Sequence, residues 1–113
     1  MSPRPLRLRP AAIADLDASA DAYAAEAGAV AVRFAAAIER ALDHVARHPG
    51  TGSLRYSHMT DLPGLRFWPV ARFPYLVFYV EEADHVDVWR VLHARRDIPS
   101  LLREPEPDEQ SGG

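Results

Sequence analysis

Residues 65–99 read LRFWPVARFPYLVFYVEEADHVDVWRVLHARRDIP, and this stretch decides the fold. Within residues 75–80, Leu76, Phe78 and Val80 alternate with Tyr75, Val77 and Tyr79, so a strand here offers an apolar set to each face of a sheet. Glu81, Glu82, Ala83 and Asp84 make an acidic turn, and residues 86–92 return as the hairpin partner. Residues 65–70 predict another strand, in which Pro69 implies an edge position or a bulge because it has no N–H for a second neighbour. The stretch holds most of the chain's aromatic residues and ends in the cluster His93, Ala94, Arg95, Arg96 and Asp97.

Upstream, two alanine-rich segments have helical spacing. Ile13, Leu16, Ala20, Tyr23 and Ala27 form one apolar stripe, with Asp15, Asp17, Asp21 and Glu26 placed off it. Pro10 suits the first turn, where its missing N–H would be unpaired anyway. Asp15 and Asp17 are read as favoured by the positive helix end, and Gly28 as the stop. Phe34, Ile38, Leu42 and Val45 make the second stripe, with Arg33, Glu39, Arg40, Asp43 and Arg47 outside it. Pro49 and Gly50 end that helix. So short a connection predicts an antiparallel helical hairpin whose narrow stripes cover the downstream sheet.

The remaining pieces are short. Residues 6–9 alternate apolar and basic residues and predict an edge strand. Residues 51–63 mix Gly, Ser, Thr, His and Asp and read as a loop. Ile98, Leu101 and Leu102 suggest a short helix or turn packing back. The expected organisation is one domain over residues 1–102 and an acidic, disordered tail over 103–113.

Composition limits the chemistry. A chain of 113 residues holds one core of ordinary size. No apolar run approaches the ~20 residues that span a bilayer, and the start MSPRPLRLRP is not followed by the apolar core of a signal peptide, so a cytoplasmic location is expected. Cysteine is absent, which removes disulfides, thiolate nucleophiles and Cys-based zinc sites. His44 and His48 are one helix turn apart, but Pro49 adjoins them, and a helix end explains the pair better than a metal site. No cofactor is expected.

The net charge of −3 is carried by the tail, where Arg103 faces Glu104, Glu106, Asp108 and Glu109. Residues 1–102 hold 12 arginines and 12 acidic residues, so no broad basic surface for non-specific nucleic-acid binding is indicated. All 13 cationic residues are arginine. A GC-rich genome, which also favours alanine, explains this bias better than selection for bidentate recognition does.

The order strand–helix–helix–strand–strand–strand, with its motifs, resembles the RelE/ParE superfamily of bacterial toxins. The resemblance covers roughly residues 6–102, nearly the whole chain. It rests on Asp15-Leu16, Tyr23, Arg33-Phe34 with Ile38, Pro49, and Leu62-Pro63-Gly64-Leu65-Arg66. It continues through Phe73-Pro74-Tyr75, Phe78-Tyr79, Arg90-Val91-Leu92-His93 and Arg95-Arg96-Asp97. It implies an α+β fold, with an N-terminal strand, a helical hairpin on a small antiparallel sheet and a short C-terminal helix or turn.

Two mechanisms divide that superfamily. RelE-like toxins cut messenger RNA on the ribosome. Such cleavage needs a base for the 2′-hydroxyl, cations for the phosphorane and an acid for the leaving oxygen. That branch draws on lysine, arginine, histidine and a C-terminal tyrosine, whereas this chain has no lysine and no tyrosine after Tyr79. The Phe-Pro-Tyr strand entry and the Val-Leu-His-Ala-Arg-Arg-Asp ending resemble the ParE branch instead. That branch implies a non-enzymatic inhibitor of DNA gyrase, linked with growth inhibition and plasmid stabilisation.

The implied partner is a cognate antitoxin, ParD-like, with a ribbon-helix-helix domain and an amphipathic C-terminal segment. Operator DNA would be met only through the antitoxin, and no membrane is implied. The resemblance points to Arg66, Arg72, Tyr75, Tyr79, Arg90, His93, Arg95 and Arg96 as antitoxin- or target-binding residues, with no catalytic residue. Structural readings stand beside these: tyrosines that line the sheet, arginines that pair with acids, and a histidine that packs at a strand end. Two further readings remain open. One is a RelE-type endoribonuclease with a reduced set built on Arg66, Arg72 and His93; the other is a non-toxic relic that only binds its antitoxin.

Overall fold

The structure, a computed structural model, describes residues 3–104. Strand β1 (Leu6–Leu8) leads into helices α1 (Pro10–Glu26) and α2 (Gly28–Arg47). A single 3-10 turn (Pro49–Thr51) and helix α3 (Arg55–Thr60) follow. Strands β2 (Leu65–Pro69), β3 (Tyr75–Glu81) and β4 (Val86–His93) and helix α4 (Ile98–Leu102) complete the fold. Most of the expected 103–113 tail falls outside the described residues. Among the described residues, no helix is long and apolar enough to cross a membrane.

The sheet order is β1-β4-β3-β2. The β2–β3 and β3–β4 pairs are antiparallel, but β1 runs parallel to β4, so the sheet is mixed rather than wholly antiparallel. The long connection that parallel pairing requires runs from β1 through the helical hairpin, α3, β2 and β3 before β4 returns beside β1. Pro69 ends β2 on the outer edge, as its missing donor predicts.

Both sheet faces are covered. Val77, Tyr79, Val86, Val88 and Val91 pack against Ala12 of α1 and against Phe34, Ala37, Ile38, Ala41 and Val45 of α2. Leu65, Phe78 and Leu92 pack against Ile98 and Leu102 of α4, joined by Tyr56 of α3. The alternation along β3 therefore divides as its sequence indicates. On β4 it does not. Tyr79 pairs with Val88 and Phe78 with Arg90, which leaves Trp89 as an extra residue. This bulge keeps Val91 on the same face as Val86 and Val88.

Three local expectations are corrected. Ala27, not Gly28, breaks the hairpin: its backbone is extended (φ −164°, ψ 127°), and Gly28 is the first residue of α2. Helix α1 is also rotated from its expected stripe. Ile13 is 48% exposed, while Ala12 and Ser19 are buried and Leu16 and Tyr23 are partly buried. Asp15 turns inward with that face, so its place follows from a partner on β4 rather than from the helix dipole. Finally, residues 51–63 are not all loop, because α3 forms there. Asp61, in the left-handed region (φ 59°), terminates it, and its N–H donates to the Ser57 carbonyl.

Candidate interaction site

The Arg90 guanidinium ties three elements together. Its Nε and Nη2 donate to the two carboxylate oxygens of Asp15 on α1 at 2.8 and 2.9 Å. Its Nη1 donates to the Leu101 carbonyl of α4 at 2.9 Å and reaches Glu104 at 3.3 Å. Asp15 also accepts the Val91 backbone N–H at 3.0 Å. β1 pairs with β4 only as far as Val88, so the Asp15 carboxylate stands where a longer β1 would have continued the ladder. The hydrogen bonds that Arg90 donates to Asp15 hold its guanidinium above its ordinary pKa, against the opposing effect of burial.

Tyr79 is fully buried. Its hydroxyl donates to the Pro49 carbonyl at 2.7 Å and accepts the Gly52 N–H at 3.0 Å. Burial pushes this phenol's pKa up. Arg66, paired with Tyr79 across the β2–β3 ladder, donates to the Gly52 carbonyl at 2.8 Å. Both side chains thus anchor the turn after α2, and Tyr79 has no surface to offer a partner.

Tyr75 and His93 sit opposite each other at the other end of β3 and β4, rings edge to face at 5.2 Å. With Asp15, Ser19 and Arg96 they line a small hollow of about 100 Å³. His93 Nδ1 accepts the Arg95 backbone N–H at 3.1 Å. The Arg95 and Arg96 side chains are exposed, and Asp97 caps α4 by accepting from the Ser100 backbone N–H and hydroxyl. Behind Tyr75 lies a ring cluster of Tyr23, Phe34 and Phe73, with centroid distances of 4.9–6.3 Å. Arg72 lies in the β2–β3 turn with φ 70°, and with Phe73 it lines a groove against Arg33 and Arg40 of α2.

The eight expected residues therefore divide. Tyr75, His93 and Arg96 come together, with Arg95 next to them in the chain. Arg72 lies apart, in its groove with α2. Arg66, Tyr79 and Arg90 have internal partners. The set Arg66, Arg72 and His93 does not converge: Arg66 is opposite Tyr79 and His93 opposite Tyr75, four residues apart on β3, or roughly 13 Å along the strand. Among the described residues, no three His, Asp or Glu side chains group as metal ligands. Asp15, Arg33 and Arg40 were missed as site residues. Asp15 carried a signal, a carboxylate beside the apolar Leu16 on an alanine-rich helix, whereas Arg33 and Arg40 look like any solvent-facing arginines.

The family model for the ParE toxin of the type II toxin-antitoxin system, parDE, matches residues 6–98. The fold is similar to the solved chromosomal ParDE TA system from P. aeruginosa. The TM-score is 0.68 at 21% identity, covering 81% of this chain and 97% of that chain. Among curated proteins, none matches the chain. With the family model spanning both the sheet and the helical hairpin, the chain belongs to the ParE toxin family of type II toxin–antitoxin systems.

Proposed function

We propose that this chain inhibits DNA gyrase by binding it, and that a cognate antitoxin neutralises it by covering its surface. The antitoxin is ParD-like, with a ribbon-helix-helix domain that meets operator DNA and an amphipathic C-terminal segment that meets the toxin. The toxin acts in the cytoplasm. Exposed Arg72, Arg95 and Arg96, with half-buried Tyr75 and His93, are the proposed contact residues. One observation supports binding over RNA cleavage: of Arg66, Arg72 and His93, the set a reduced cleavage site would draw on, Arg66 is held by the Gly52 carbonyl and lies opposite Tyr79, four residues along β3 from the partner of His93.

The test uses the purified full chain. Gyrase supercoiling should fall and enzyme-linked DNA breaks should accumulate, while translation continues at early times. Addition of the antitoxin encoded beside the toxin should restore supercoiling. Cleavage of transcripts on translating ribosomes, lost in His93→Ala, with supercoiling untouched, would replace this reading by the ribonuclease one. Expression without the antitoxin that leaves growth unchanged would identify a relic.

A further inference from the structure

Eight of the thirteen arginines have no side-chain ion pair or hydrogen bond among the described residues, and three of these eight surround one groove. Arg33 and Arg40 rise from α2 and Arg72 from the β2–β3 turn, over a floor of Val30, Ala36 and Phe73. The groove holds about 360 Å³, and no acidic residue lines it. Phe73 is held in place by edge-to-face contacts with Tyr23 and Phe34, both at 5.3 Å.

Arg72 adds a second observation. It is one of two non-glycine residues with positive φ among those described, a conformation that costs a side-chain-bearing residue free energy. Glycine would fill that position without strain, yet an arginine occupies it at the groove's rim. Three guanidinium groups around an apolar floor present paired N–H donors suited to carboxylates.

We infer that this groove docks an acidic segment of the antitoxin, with carboxylates on Arg33, Arg40 and Arg72 and an apolar side chain on Phe73. The inference rests on the reading of the chain as an antitoxin-neutralised toxin. Charge complementarity selects the occupant. A nucleic-acid backbone would call for an extended basic track and no apolar floor, whereas residues 1–102 balance 12 arginines against 12 acids.

The experiment titrates the purified full chain with the purified antitoxin encoded beside it. One variant carries Arg33→Ala, Arg40→Ala and Arg72→Gly; these replacements suit a helix interior twice and a positive φ once, so folding is preserved. The control carries Arg7→Ala, Arg55→Ala and Arg103→Ala, which remove the same charge elsewhere. The groove variant should bind on the order of 100-fold more weakly with a shallower salt dependence, and the control within about threefold of the parent. Equal affinities for the two variants would overturn the groove while leaving the antitoxin reading intact. Absence of antitoxin binding by the parent chain would overturn both. Loss of duplex-DNA binding in the groove variant, with antitoxin affinity unchanged, would transfer the site to nucleic acid and overturn the proposal as well.

Discussion

Asp15 and Arg90, 75 residues apart in the chain, form a two-bond ion pair in which each side chain is only 14% exposed. The pair joins α1 to β4 where β1 stops. Through the Leu101 carbonyl it also holds α4 against the other side of the sheet. Removing one member leaves a charge with reduced compensation. Asp15→Ala should therefore destabilise the chain by about 3 kcal/mol, near the lower limit for a broken buried pair, because Arg90 keeps its α4 partners. The midpoint of urea denaturation checks this. The double variant Asp15→Ala/Arg90→Met should lose less than the sum of the two single losses; strict additivity would mean that the pair is not coupled.

Tyr79 gives a contrast between stability and binding. Tyr79→Phe leaves the Gly52 N–H and the Pro49 carbonyl without their partner, a loss of roughly 1–3 kcal/mol. Gly52→Ala should destabilise through the same contact, since an added Cβ would overlap the Tyr79 hydroxyl and meet its Cζ at 2.9 Å. Antitoxin affinity of folded Tyr79→Phe should stay within about twofold of the parent, because the ring is fully buried. A large affinity loss without a stability loss would show that the phenol reaches the surface in the complex.

Gly28 separates two readings of the hairpin. As a left-handed helix stop it would resist replacement. As the first residue of α2, with open space where a Cβ would stand, it should tolerate alanine. Gly28→Ala is expected to stabilise by about 0.4–1 kcal/mol through the unfolded chain's lost freedom. A thermal midpoint below the parent's would contradict the extended break at Ala27.

His44 makes stability depend on pH. Its ring stacks on Trp68 at 3.7 Å, and its Nε2 meets the Thr51 hydroxyl at 2.8 Å. That hydroxyl gives its proton to the His48 carbonyl, so His44 Nε2 is the donor. Burial lowers the His44 pKa, helped by nearby His48. The unfolded chain therefore binds this proton more readily than the folded one. Stability is fully present above the unfolded value of 6.5 and falls as pH drops through the folded value. Thermal midpoints at pH 7.5 and 5.5 should differ in this direction, and His44→Gln should reduce the difference. An unchanged difference would assign it to other groups.

Much of the fold was legible from residues 65–99. The alternation of Leu76, Phe78 and Val80 with Tyr75, Val77 and Tyr79 is a purely local pattern, and both sheet faces follow it. Pro69 on the edge and Pro10 in the first helical turn are equally local, because each reflects a missing N–H. The Trp89 bulge was not legible, since a one-residue insertion becomes visible only when β3 is laid beside β4. Helix α3 was hidden because six polar and mixed residues have weak intrinsic helicity, and its stability comes from Tyr56 packing on Phe67 and Phe78.

The candidate site divides in the same way. Residue order and period alone carry the family resemblance, the aromatic strands and the cluster His93 to Asp97. Which arginines are engaged emerges only once the chain has folded. Arg66 and Arg90 are held internally, while Arg33, Arg40 and Arg72 share a groove without an acid. A guanidinium's role depends on which carboxylate or carbonyl stands within about 3 Å of it, and that distance is set by folding across dozens of residues, not by neighbours in the chain.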